Sequence, residues 1–271
     1  MPFPRTDLAI ELHERTSPHP GITKEERSRA GCKITRIRVS ENSRDFEKPP
    51  GIYTTIRLPD FLSAQPPDAQ QAQILAEELN AMLPKSGTVL VLGLGNAQIT
   101  PDALGPRAVR HILTTRGREA LGGARLREVC ALAPGVFAQT GLEAREVLSG
   151  LLAELSPAAV IAIDALAAGE IGRLGNTVQL CDAGISPGSG VENARPELSA
   201  GTLGVPVIAV GVPTVIDYDA GSPQSGGRSC FVAPRDIDLL CERAARLIAL
   251  GVNIALQPNL SAEDLLYLTA E

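Results

Sequence analysis

The sequence contains no tryptophan, and aromatic side chains make up only 3% of its 271 residues. A fold anchored by large aromatics is therefore disfavoured. The aliphatic, Ala- and Gly-rich composition, 44% hydrophobic, suits layers of strands and helices instead. Cysteine is sparse and unpatterned: Cys32, Cys130, Cys181, Cys230 and Cys241 form an odd set without a C-x-x-C spacing. That argues against a zinc site or a disulfide framework and fits a reducing cytoplasm. His13, His19 and His111 are the only histidines, and none has metal-ligand spacing or an obvious serine partner. No apolar run is long enough for a membrane span, and Met-Pro-Phe-Pro-Arg-Thr-Asp at the N-terminus is no export signal. A long basic run is missing too, and 25 Lys and Arg against 31 Asp and Glu leave a formal charge of −6. This argues against a general nucleic-acid or anionic-membrane binder and leaves room only for a local basic groove. Without a Gly-Lys-Ser/Thr there is no Walker-type phosphate loop.

What is present is a series of aliphatic strands alternating with helices. Val89-Leu-Val-Leu-Gly-Leu-Gly-Asn96 reads as a buried parallel strand leaving the sheet, with Thr100 and Pro101 as N-cap and first residue of the helix that follows. Further strands are expected at Leu126–Leu132, Ala158–Leu166, Asn176–Cys181 and Pro206–Val212, and helices at Asp68–Leu83, Leu142–Leu155, Asp236–Leu250 and Ala262–Leu268, the last capped by Ser261. Gly221–Arg228 reads as a flexible polar linker. The pattern predicts a three-layer α/β/α fold of phosphorylase/hydrolase-like type with a mostly parallel, mixed central sheet. Residues 1–60 differ in texture. Arg5–Leu12 is a short mixed segment whose plainest reading is an N-terminal strand, and His13–Arg29 is polar and broken by prolines. Lys33–Val39 and Tyr53–Leu58 read as two strands of a small sheet, half open to solvent. The expected division is therefore 1–60, an N-terminal segment and small β extension, and 61–271, the α/β/α domain, in one structural unit.

Candidate chemistry lies where strands meet solvent at their carboxyl ends. Gly93-x-Gly95 lacks the third glycine of a dinucleotide fingerprint and reads as a tight turn off the strand. Asp102, alone, is an ordinary first-turn carboxylate. Asp164 ends the run Val-Ile-Ala-Ile, where an acid must sit at the strand edge. Both acids follow strands expected to be parallel neighbours or near-neighbours, so both reach one edge. Two carboxylates in one crevice do not both ionise cheaply, which is the arrangement an acid–base hydrolase needs. Asp182 and Asp217 also follow strands but read as turn or cap residues. Ser186 and Ser189 are thin nucleophile candidates, because no Gly-x-Ser-x-Gly elbow surrounds them. Gly188 and Gly190 would let backbone amides approach a substrate carbonyl.

Arg5-Thr-Asp-Leu-Ala-Ile-Glu11, Gly93-Leu-Gly-Asn96, Thr100-Pro-Asp-Ala-Leu-Gly-Pro106, Ala133-Pro-Gly-Val136, Gln139-Thr-Gly141, Ala162-Ile-Asp-Ala-Leu-Ala167, Pro187-Gly-Ser-Gly-Val191 and Gly204–Asp217 resemble, in colinear order, the germination protease (spore endopeptidase) family. The resemblance implies a cytoplasmic endopeptidase of the forespore or spore core that degrades small acid-soluble spore proteins. It also implies a zymogen trimmed at its N-terminus, assembly as a homotetramer, no cofactor and no metal. The two essential aspartates of this atypical aspartic-type family match Asp102 and Asp164. Gly95, Asn96, Gly188, Ser189 and Gly190 match segments expected to hold substrate, and the trimming site matches Asp7–Leu8. The implied fold is that of hydrogenase-maturation proteases, with a mixed five-stranded sheet. Departures are Ser186 where the family has His, Glu192 within Val-Gly-Asn, and a shortened segment between Asp217 and Val232. The alternatives are a metal-dependent peptidase like the hydrogenase-maturation enzymes and a non-catalytic sporulation protein that keeps the fold.

Overall fold

The computed structural model describes residues 5–16, 20–43, 46–59, 68–188, 195–219 and 229–270. In chain order it has α1 (Ala9–Thr16), β1 (Ile22–Arg29), β2 (Cys32–Val39), β3 (Gly51–Arg57), α2 (Ala69–Asn80), β4 (Val89–Gly93) and α3 (Leu104–Arg110). A short hairpin, β5 (Ala120–Leu121) and β6 (Ala124–Arg125), precedes β7 (Val129–Leu132), α4 (Phe137–Thr140), α5 (Ala144–Leu155), β8 (Ala159–Ala168) and β9 (Thr177–Cys181). The chain continues with α6 (Ala200–Leu203), β10 (Val207–Asp219), β11 (Ser229–Val232), α7 (Ile237–Leu256) and α8 (Ala262–Leu268).

The central sheet runs β1-β2-β3-β9-β10-β8-β4-β7, with β11 added to the far end of β10, making nine strands among the described residues. Strands β7, β4, β8 and β10 are parallel, and β9, β3, β2 and β1 continue the sheet antiparallel. The sheet is thus mixed, as the alternating pattern predicts, but larger than the five strands implied by the family resemblance. The N-terminal strands are not a separate sheet, because β3 pairs β9 over Tyr53–Arg57 and joins them to the parallel core. β1 was not legible in the polar stretch before Arg29. Its residues after Ile22 are exposed, so it has no apolar alternation and owes its shape to the β2 ladder. Its charges suit an edge strand that must not pair further.

Helices α2, α3 and α7 cover one face, packing on Val89, Val91, Ile161, Ile163, Ile208 and Val210. The opposite face has two patches. α1 lies over Ile37, Tyr53, Leu166 and Ala168, and α5 lies over Leu90, Leu92, Val160 and Ala162. The alternation of side chains on each strand separates these cores. Residues Arg5–Leu12 do not form the strand expected of them. Leu8, Ala9, Ile10 and Leu12 are buried, and the helix begins at Ala9. Buried Glu11 accepts the backbone N–H groups of Gly169 (2.7 Å) and Glu170 (3.2 Å), fixing α1 over the end of β8. The predicted linker over 221–228 lies outside the described residues.

Candidate active site

β4 and β8 are adjacent and parallel, with Gly93 opposite Ile163, so the chain beyond β4 leaves beside Asp164. Leu94 N–H donates to the Ile163 carbonyl at 2.8 Å and holds that exit against β8. Gly105, in the first turn of α3, lies against the Leu94 and Ile163 carbonyls, where any side chain would collide. This contact draws α3 and the turn before it onto the strand ends.

That turn differs from the sequence expectation. Thr100–Asp102 is a 3₁₀ turn preceded by Ile99, and α3 starts only at Leu104. Thr100 is therefore not a helix N-cap, and Asp102 ends the short turn instead of opening an α-helix. Gly95 makes the geometry possible. At φ +109° it adopts a conformation closed to most residues, and a Cβ there would strike the Asp102 carbonyl oxygen. The next N–H, that of Asn96, donates to Asp102 Oδ2 at 2.7 Å. The Asn96 side chain is in turn held by Gln139 Nε2 at 2.8 Å and by the Gln98 N–H at 2.9 Å.

Asp164 is only 5% exposed, and Oδ1 accepts the N–H of Ala165 at 2.9 Å. Burial holds its carboxyl well above the usual carboxylate range, the charge of Asp102 pushes it further up and that of Asp7 adds to this, while the Ala165 N–H pulls it down. Asp102 is half-buried and shifts the same way, raised by burial and lowered by the Asn96 N–H. The two aspartates thus form an interacting pair at one strand edge, with Asp164 the stronger holder of a proton.

Asp7 is the third acid near the pair, brought there by the N-terminal segment. Its N–H donates to the Ala167 carbonyl at 2.9 Å, and its Oδ2 accepts the Ala167 N–H at 2.9 Å. Gln179 bonds the segment on both sides of Leu8: Nε2 donates to the Asp7 carbonyl at 3.0 Å and Oε1 accepts the Ala9 N–H at 2.8 Å. The Lys48 ammonium stands 4.0 Å from Asp7 Oδ1. The sequence reading missed Gln179, Lys48 and Gln139 as parts of this neighbourhood. Gln179 left one trace, an amide between Val178 and Leu180 in the middle of a strand.

The other candidates are placed as follows. Asp217 is no turn residue; it lies within β10, which runs on through Pro213, and it is 7% exposed. Its Oδ2 accepts the Arg5 N–H at 2.9 Å. Asp182 follows β9 and accepts the Ile52 N–H at 2.6 Å. Ser186 and Gly188 lie on the loop after β9, whose Pro187 carbonyl accepts the Arg195 N–H at 2.8 Å. Ser189, Gly190 and Glu192 lie outside the described residues. Buried His111 caps the end of α3, with Nε2 3.6 Å from Glu242 Oε1, away from the pair. Among the described residues no three His, Cys, Asp or Glu side chains come together as a metal set, and no helix is long and apolar enough to cross a membrane.

The sequence profile of the family described as germination protease matches residues 6–223. The germination protease of Caldanaerobacter subterraneus subsp. tengcongensis is 37% identical, with 96% of this chain and 96% of that protein covered. That of Clostridium acetobutylicum is 34% identical, with 96% and 97% covered. That of Geobacillus sp. (strain WCH70) is 42% identical over 79% of this chain and 63% of its own length. Among solved structures, the NiFe hydrogenase maturation protease HycI from Thermococcus kodakarensis KOD1 aligns with a TM-score of 0.37 and 18% identity, covering 65% of this chain and 98% of that one. Matched by the profile over most of its length and by relatives over nearly all of it, the chain belongs to the germination protease family and is a peptidase.

Proposed function

We propose that this peptidase is an endopeptidase that begins the degradation of small acid-soluble spore proteins at germination, and that Asp102 and Asp164 carry the reaction. The observation behind this reading is the carboxylate pair formed by Asp164, buried within β8, and half-buried Asp102 on the turn that follows the neighbouring parallel strand β4, in which Asp164 feels the charge of Asp102 and resists ionising. Asp102, held by the Asn96 N–H, is the one of the pair that stays ionised and so serves as the base. It takes a proton from water as the oxygen attacks the peptide carbonyl carbon, while Asp164 gives its proton to the carbonyl oxygen. Asp102 then passes its proton to the amide nitrogen as the C–N bond breaks, and Asp164 recovers its own from the hydroxyl. No cofactor enters. Gly95 and Asn96 act on the substrate side through the turn they shape, and Gly188 offers a backbone amide from the loop after β9; a substrate-holding role for Ser189 and Gly190 rests on the family resemblance alone.

The same reading makes Asp7–Leu8 a trimming site. Supporting it, the segment is fastened on both sides of that bond by Ala167 and Gln179, and Asp7 is near enough for Asp164 to feel its charge. The active form is a homotetramer working in the spore core. Incubating the purified chain with small acid-soluble spore proteins at mildly acidic pH tests the function. Endoproteolytic fragments are expected, and intact spore proteins after prolonged incubation would refute it.

A further inference from the structure

Beside α1, on the antiparallel wing of the sheet, lies a small hollow with neither Asp102 nor Asp164 on its walls. Its floor is a block of β2 and β3. Register pairs Thr35 with Thr55 and Lys33 with Arg57. Side chains two apart on a strand share a face, so two hydroxyls and two cations stand side by side. Ile10 and Glu14 of α1 border the same hollow, as does Arg173 from the 3₁₀ turn Ile171–Arg173 after β8. The space measures about 100 Å³. A single bridging water needs only about 10–15 Å³ of this kind of space, so the hollow holds something larger.

Two polar groups on these walls are buried without a hydrogen-bond partner among the described residues. Thr55 is 2% exposed and its Oγ1 is unpaired; Arg173 is 8% exposed and its Nε–H has no acceptor. Buried polar groups are normally satisfied, so two orphans on one hollow point to an absent acceptor of hydrogen bonds. The charges say of which sign. Glu14, the one acid on the lining, already accepts Arg173 Nη2 at 2.6 Å. Lys33 Nζ lies 2.8 Å from Glu26 Oε2. Glu11 Oε1 and Glu170 Oε2 stand 3.8 and 3.7 Å from Arg173 Nε, too far for a hydrogen bond. Arg57 makes no ion pair among the described residues. A cation would meet three like charges here, and a neutral guest would leave Arg57 unmatched. Donors come from the floor and from the Arg173 wall, more directions than the two oxygens of a carboxylate serve. A tetrahedral oxyanion offers each of them an oxygen.

We propose that this hollow is a phosphate site, taking inorganic phosphate or the phosphoryl group of a small monoester, with Thr55, Arg57 and the Arg173 Nε–H as its main donors. Its walls join α1 to the sheet, and Thr55 is the register neighbour of Gln179, which holds Asp7 and Ala9. An occupied site therefore fastens the amino-terminal segment. The test is isothermal titration of the full chain with inorganic phosphate and, separately, methyl phosphate, at an ionic strength held constant with chloride. One site per chain is expected, with Kd below about 1 mM. Thermal melts should show a Tm higher by about 5 °C at a hundredfold excess of ligand over Kd. Thr55→Val keeps the shape and removes the hydroxyl, so affinity falls about tenfold. Its Tm without phosphate does not fall, because an unpaired hydroxyl has left the interior. Arg57→Gln, at the exposed rim, lowers affinity by about tenfold or more. Binding of either ligand supports the site, and the tighter one names the source of the phosphate group. No saturable binding of either by the wild type, or wild-type affinity in either folded variant, overturns it.

Discussion

Under the proposed mechanism, Asp164 is expected to have opposite effects on stability and on activity. Its folded carboxyl binds a proton more tightly than it would in the unfolded chain, so the unfolded state ionises first as pH rises. Folding stability is therefore lost progressively from the ordinary carboxylate range up to the raised folded value, and stays lost above it. Asp164→Asn removes that penalty. It is expected to raise Tm at pH 7, by about 2–4 °C for each kcal/mol relieved, while abolishing cleavage; a lowered Tm at pH 7 contradicts the buried, proton-holding carboxyl. On the proposed mechanism the same raised value should limit activity: cleavage is expected to fall at high pH as Asp164 loses its proton and at low pH as Asp102 gains one, a bell that a kcat/KM–pH profile would read. Asp102 was legible because it follows the aliphatic run of β4, which does end at Gly93. The reading of Asp164 as a strand-end acid needs correction: β8 runs on to Ala168, and Asp164 lies buried inside it, level with the end of β4. What surrounds them was not legible. The Asn96 N–H reaches Asp102 only because Gly95 turns to φ +109°, and Asp7 arrives from a segment with no sequence signal for its path.

The elements show where local pattern is enough and where it is not. β4, β8, α2 and α8 lie where their apolar runs and caps put them, Asp68 and Ser261 both accepting first-turn N–H groups. Ser261→Ala is expected to cost about 1 kcal/mol, measured by denaturant unfolding. β1 and the far half of β10 are different. One has no buried stripe, and the other crosses Pro213 with a register shift between Pro213 and Val215, so each is specified by its neighbours in the ladder. β1 and β2 are also tied to α2 by charge. Glu78, 1% exposed, receives Arg27 and, at 2.8 Å, Arg36. Replacing both arginines with Met strands a buried carboxylate and is expected to destabilise the fold by about 3–5 kcal/mol. Glu78→Leu removes the charge along with its need for partners and costs far less. Equal losses from the two changes, in urea unfolding, would show that Glu78 does not depend on its arginines.

For the whole molecule, one mixed sheet joins an antiparallel wing to a parallel core, and α1 closes the face on which Asp164 lies. Composition and alternation were enough to predict the three layers. They could not give the sheet's full width, because β3–β9 pairing links residues far apart in sequence. The N-terminal segment divides sharply at Leu8. A chain beginning at Leu8 keeps the buried Leu8, Ile10, Glu11 and Leu12 and is expected to fold. One beginning after Thr16 loses three large apolar side chains worth about 1.5–3 kcal/mol each and is expected to melt well below it, as followed by circular dichroism. The aspartate pair is the centre of the account, and the most direct measurement is cleavage of small acid-soluble spore proteins by Asp102→Asn and Asp164→Asn chains whose folding has been checked by thermal melts. The account predicts that both variants fold and neither cuts, whereas wild-type cleavage by either folded variant would contradict it.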